Sequence, residues 1–211
     1  MGLKLITTDR QFTAKVFSLL AKKIDPQMLK ASVFIEQRIK SLITEQLVSH
    51  PILDELRHGQ LALDFGLSLE VADKAINEML QAIESSVSVN VLKGGKIFSA
   101  GFSGISIKID PVGPIQNIPS GSYDSNGYII NWMDWLLNRG SQVVVSGFES
   151  VFSVNANNSR SGLGFMLKSG NSFRVDPRFA GTKDDNFLTR IVTESRTAIE
   201  NIIKEEINKV L

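Results

Sequence analysis

Apolar positions along the first third of the chain recur at helical spacing. Phe12, Val16, Leu19 and Leu20 follow Asp9, a good N-cap. Asp25-Pro26 restarts the pattern, with aspartate as cap and proline in the first turn. Leu29, Val33, Ile39, Leu42, Ile43 and Leu47 then form one stripe, which His50-Pro51 interrupts because the residue before proline avoids helical geometry. A short helical piece, ILDELRHG, ends at Gly59, and Ser68 caps a further helix over Leu69–Ile83.

Beyond residue 84 the period falls from 3.6 to 2. Val87, Val89 and Val91 alternate with polar residues, as do Ile105, Ile107 and Ile109, so strands are expected over about 86–92 and 96–109, with KGGK (93–96) as their turn. Residues 110–126, rich in Pro, Gly, Ser and Asn, read as a long loop. The segment 127–140 reads as a short helix with Ile129, Ile130, Met133, Leu136 and Leu137 inward and Gly140 as its stop. A second strand pair, 142–154 and 162–176, flanks the polar loop NANNSRSG, and a closing amphipathic helix covers roughly 186–210. The expected fold is α+β: N-terminal helices over 1–84, then a domain over 85–211, continuous with the helices or separate from them. That domain is a mostly antiparallel sheet of about four long strands in hairpins, with the long C-terminal helix packed on it.

Composition narrows the function. With 23 basic and 22 acidic residues the net charge is +1, which lacks the basic excess that bulk capture of nucleic acid needs. There is no cysteine, which removes disulfides and thiolate metal sites, and only His50 and His58 are available as imidazole ligands. They lack the spacing of a metalloprotease helix and read as surface or capping residues. No apolar run reaches the ~20 residues of a membrane span, and MGLKLITTDR is not a signal peptide, so the plain expectation is cytosol.

The densest chemistry lies in DPRFAGTKDDNFLTRI (176–191). Asp184 and Asp185 precede the closing helix, where carboxylates accept unpaired N–H groups and complement the dipole. Thr182 and Asp185 have the spacing of a capping box, and Arg190 is placed to pair with Asp185. KGGK lacks the length and the strand–helix context of a phosphate loop, and NNSRSG has no histidine after it and no nucleophile elbow around it. Trp132 and Trp135 are expected to anchor the core, with a partner-facing patch as the alternative. No catalytic set emerges, and no cofactor or metal site is expected.

The stretch SRSGLGFMLKSGNSFRV (159–175), followed by PRFAGTKDDNF (177–187) and a long helix, resembles neck or tail-completion proteins at the head–tail junction of tailed, myovirus-like bacteriophages. RIKSLITEQLVSHPILDELRHGQLALDFGLS (38–68) is similar to the start of such proteins, and Phe173 stands where their usual pattern has tryptophan. The resemblance implies a virion structural protein without enzymatic activity or cofactor. It would form a homo-oligomeric ring, a hexamer, between the portal or its adaptor and the tail tube or terminator, and DNA would pass through the lumen without sequence-specific binding. Tyr123, Arg160, Ser161, Arg178, Asp184, Asp185 and Asn186 are the expected inter-subunit residues, with the acids at 184–185 facing a neighbour's Arg160 or Arg178. The rivals are a tail terminator or another tube, sheath or baseplate protein; a hydrolase built on Asp176, Asp184 and Asp185; and an adaptor that binds a peptide along a sheet edge.

Overall fold

A computed structural model describes residues 9–92, 104–125, 127–156 and 159–210. In chain order the elements are α1 (Asp9–Val48), α2 (Ile52–His58), α3 (Gln60–Phe65), α4 (Leu69–Ser86), β1 (Val87–Leu92), β2 (Gly104–Ile109), α5 (Val112–Ile115) and a 3₁₀ turn at Pro119–Gly121. There follow β3 (Tyr123–Ser125), β4 (Tyr128–Ile130), α6 (Trp132–Leu137), β5 (Val143–Phe152), β6 (Gly164–Arg174), α7 (Phe187–Glu194) and α8 (Arg196–Val210). The α+β class is therefore as expected. The chain forms two compact units, Met1–Ser41 with Val87–Ile109 and Arg196–Leu211, and Leu42–Ser86 with Asp110–Ser195. Both expected segments, 1–84 and 85–211, contribute to each unit.

In the first unit, α1 continues through Pro26 rather than restarting there. The loss is one backbone donor, the bond that residue 26 would have made to the carbonyl four residues earlier. The buried face keeps Ile39, Ile43 and Leu47 of the expected stripe but not its first two residues. Ala31, Ile35 and Ile39 are inside, four residues apart, while Leu29 is 60% exposed and Val33 points outward with it. Strands β1 and β2 pair antiparallel from Val87↔Ile109 to Leu92↔Gly104, and the KGGK turn lies outside the described residues. Glu36 links α1 to this ribbon by accepting the Val89 N–H at 3.1 Å, and Lys40 donates to it at 2.8 Å. Arg38 of α1 holds Glu205 (2.8 Å) and buried Glu206 (2.7 Å) of α8, and Lys209 also reaches Glu206. The two cations keep the Glu206 carboxyl below the ordinary range.

The second unit holds most of the apolar core. Ala72, Ala75, Ile76, Met79 and Ile83 line one face of α4, whose start is capped by Ser68, its Oγ accepting the Val71 N–H. Residues 110–125 are built structure, not a long loop. Asp110 Oδ1 accepts the Gly113 N–H, Ile115 and Ile118 are buried, and Glu78 accepts both the N–H (2.7 Å) and the hydroxyl (3.0 Å) of Ser120. Trp132 Nε1 donates to the Ser120 carbonyl at 2.8 Å, so one partly buried carboxylate–serine–indole chain ties α4, the 3₁₀ turn and α6 together. Polar composition alone concealed this, because the segment's few apolar residues are the ones that dock.

Residues 127–140 are not one helix. Tyr128–Ile130 pairs with Tyr123–Ser125 as β4 against β3, and α6 begins at Trp132 after Asn131, whose Oδ1 caps Asp134 N–H at 3.1 Å. Ile129, expected inside, is 79% exposed; Trp132 is fully buried.

The four expected long strands do not join. Among the described residues β1–β2, β3–β4 and β5–β6 form separate two-stranded sheets. Period-2 alternation reports that a segment has two different faces, but not which strand lies beside it. Here β1–β2 and β5–β6 fall in different units, and β5 slips register twice, between Val143/Val145 and Ser146/Phe148. The closing helix is divided by a turn at Ser195 into α7 and α8, one in each unit.

Candidate functional site

The acid-rich stretch of 176–191 caps its own helix. The capping box is Asn186–Thr189 rather than Thr182–Asp185: Asn186 Oδ1 accepts the N–H groups of Leu188 and Thr189 at 3.1 Å, and Thr189 Oγ1 accepts the Asn186 N–H at 2.9 Å. Asn186 is fully buried, and its amide donates to the carbonyl of Thr182. An asparagine succeeds where an aspartate would not, because the site needs donors as well as acceptors. Gly181 makes room for it: a Cβ there would collide with the Asn186 side chain and the Leu136 carbonyl.

Asp185 is exposed and paired with Arg190 of its own chain at 2.7 Å, which lowers its pKa; Asp184 is exposed beside it. Arg178 makes a bidentate pair with Asp176 (2.7 and 3.1 Å), and this guanidinium holds the Asp176 carboxyl below the usual range. Arg178, one of the two cations expected to reach the acids of a neighbour, therefore has a partner within the chain. Asp176 and Asp185 are both held ionised at neutral pH, which does not suit a general acid. Nor does the structure bring these residues to Tyr123, Arg160 and Ser161, which gather elsewhere.

That second gathering starts from a helix end. Gly66 closes α3 in left-handed geometry (φ +62°), its N–H bonded to Leu63 O and the Leu67 N–H to Ala62 O. The Phe65 carbonyl, left over at the helix terminus, accepts the Tyr123 hydroxyl at 2.6 Å. The Arg160 guanidinium lies 4.1 Å from the centre of the Tyr123 ring, a cation–π contact. Burial raises the Tyr123 pKa and Arg160 opposes the rise.

Below this pair lies a cavity of about 350 Å³, lined mainly by apolar side chains, among them Leu63, Trp135, Met166 and Phe173. Ser159, Arg160 and Ser161 of the SRSG turn also line it. The Ser161 hydroxyl accepts the Leu163 N–H at 3.2 Å, which shapes the turn. On the α3 side, Asp64 Oδ1 accepts hydrogen bonds from Ser150 Oγ and Gln60 Nε2, both at 2.6 Å. Burial is the main cause that raises the Asp64 pKa; the two hydrogen bonds lower it, and the like charges of Asp176 and Glu55 raise it further.

Asp64 escaped the reading of sequence, although it is the one charged residue between Leu61 and Leu69. An acid inside an apolar run is the signal that marks it. Trp135, expected in the core with Trp132, instead forms part of the cavity wall. His50 is half-buried against the Phe187 ring (5.7 Å between centroids), and its Nδ1 accepts the Ile52 N–H at the start of α2; His58 is exposed. Among the described residues no three His, Asp or Glu side chains are grouped to hold a metal ion, and no helix is long and apolar enough to cross a membrane. No protein-family model matches the chain, and neither curated proteins nor solved structures give a match.

Proposed function

We propose that the chain is a structural subunit of a tailed bacteriophage, a ring-forming component of the neck that joins the portal or its adaptor to the tail. The observation that carries the assembly part of this reading is the apolar surface left without cover. On α1, Phe12, Val16, Leu19 and Leu20 form an exposed helical stripe, and Leu29 and Val33 a second pair of the same spacing. On the β5–β6 ribbon, Phe152, Phe165, Met166 and Leu167 are exposed, and Val154 beyond its end is 96% exposed. Successive residues 165–167 point to alternate faces, so both faces of the ribbon present apolar groups.

A lone two-stranded ribbon is marginal in water, and contiguous apolar surface marks interaction sites. Neighbouring copies supply the missing cover. Strand addition at the ribbon's open edges would also create the larger antiparallel sheet. Head-to-tail contacts of one kind close into a ring when the rotation is right.

The position in the particle rests on the resemblance carried by SRSG (159–162) and PRFAGTKDDNF (177–187). In that setting the ring has six copies, binds no cofactor and conducts DNA through its lumen, and near-neutral charge keeps it from gripping the cargo. A tail terminator is the nearest alternative, and label position in whole particles separates the two. Negative-stain images of the purified protein test the reading. Closed rings with a central hole of duplex width are expected; isolated monomers at micromolar concentration would count against it.

A further inference from the structure

We propose that the cavity beneath Arg160 and Tyr123 is a socket for a lysine side chain of a partner polypeptide, with its alkyl stem against Leu63, Met166 and Phe173 and its ammonium on Asp64. The proposal stands apart from the ring reading, since any polypeptide that presents a lysine could be the guest. Three features carry it.

The first is size and lining. About 350 Å³ lies at the small end of ligand sites and has room for a long unbranched side chain, and the walls are chiefly apolar. A long aliphatic stem gains from such walls while its charged tip seeks a counter-ion.

The second is the free capacity of Asp64. Both hydrogen bonds to this carboxylate end on Oδ1. Oδ2 takes none among the described residues, yet it is not sealed from solvent, since no buried side-chain oxygen lacks a partner. A carboxylate on the wall of an apolar cavity thus keeps one oxygen open. A single open oxygen suits the point charge of an ammonium; a guanidinium fork would need both.

The third is the sign of the surroundings. The charged groups acting on Asp64 are two acids, Glu55 and Asp176, the second of them paired with Arg178. Arg160, the cation on the cavity wall, lies over the Tyr123 ring. The open oxygen of Asp64, with Glu55 behind it, attracts a cationic guest and repels an anionic one.

The test uses two probes, N-acetyl-lysine methylamide and its norleucine counterpart, which has the same stem length in carbon and no ammonium. Each is titrated into the ¹⁵N-labelled full chain while the Trp135 indole and Gly66 amide resonances are followed. The expected result is saturable shifts at both positions with the lysine probe, and an affinity for the norleucine probe lower by roughly tenfold or more, the scale of a charge-assisted hydrogen bond. In Asp64→Asn the two probes should become equal. Equal affinities in the unaltered protein, or lysine binding that leaves both resonances unmoved, would overturn the socket; this arm needs no variant to fold. Retention of the lysine preference in a folded Asp64→Asn protein would overturn the role of Asp64.

Discussion

Asp185 and Asp64 lie in opposite kinds of surroundings, and the contrast reverses their apparent importance. Asp185 sits in the most chemically suggestive stretch of the chain, beside Asp184 and Asn186 and near two arginines. In the fold it is exposed and paired with Arg190. Asp64 sits alone in an apolar run and looks like a flaw in the pattern. In the fold it lines a cavity, its pKa is raised, and one oxygen remains open. A crowd of charges in sequence is what a solvated helix end looks like, because such residues need water and backbone N–H groups. A lone charge among apolar residues is held where solvent is scarce, and that is where its protonation can respond to surroundings.

Three substitutions sharpen the comparison. The largest effect is expected at the buried end of the acidic stretch. Asn186→Ala removes two accepted N–H bonds and the amide donor to Thr182, and should cost about 3 kcal/mol, combining a lost cap with stranded buried groups. Chemical denaturation measures it; a loss below about 1 kcal/mol would show that the capping box is not what holds α7.

Asp64→Asn should have a smaller effect of opposite sign. The folded pKa of Asp64 lies above its ordinary 3.8, so its favourable contribution is present below that value and is lost as pH rises through the folded pKa. At neutral pH the wild-type protein therefore carries a penalty that asparagine lacks. The variant should melt slightly higher at pH 7, and the difference should vanish in acid below about 3.8. A difference independent of pH would mean that altered hydrogen bonding to Ser150 and Gln60, not charge, is responsible. The smallest effect belongs to Asp185→Asn, which breaks only the exposed pair with Arg190 and should leave the melting temperature essentially unchanged.

Much of the helical architecture was legible in sequence, notably the Ser68 cap, the α4 stripe and the α+β class. The positions of β1 and β2 were legible too, from the alternation around Val87–Val91 and Ile105–Ile109, whereas β3 and β4 were read as loop and helix. The pairing of β1 with β2 and of β5 with β6 was legible as well, but whether the two hairpins join was not, because alternation is the same whether a hairpin stands alone or joins a sheet. The ordered run from Val112 to Ser125 was hidden by turn-forming composition, since Glu78, forty-two residues away from Ser120, supplies its fastening. At the candidate site, Tyr123, Arg160 and Ser161 were singled out and do come together. Asp64 and Ser150 were missed because their meeting spans eighty-six residues and leaves no local pattern.

Assembly, in the proposed reading, runs through the outward apolar residues of α1 and of the β5–β6 ribbon. Light-scattering mass during size-exclusion chromatography of the purified chain, repeated over a tenfold dilution, tests it directly. The account predicts a defined species several times the mass of one chain, which Phe165→Glu or Leu19→Glu shifts toward the monomer without unfolding it. A single-chain mass at every concentration, unaltered by either substitution, would contradict it.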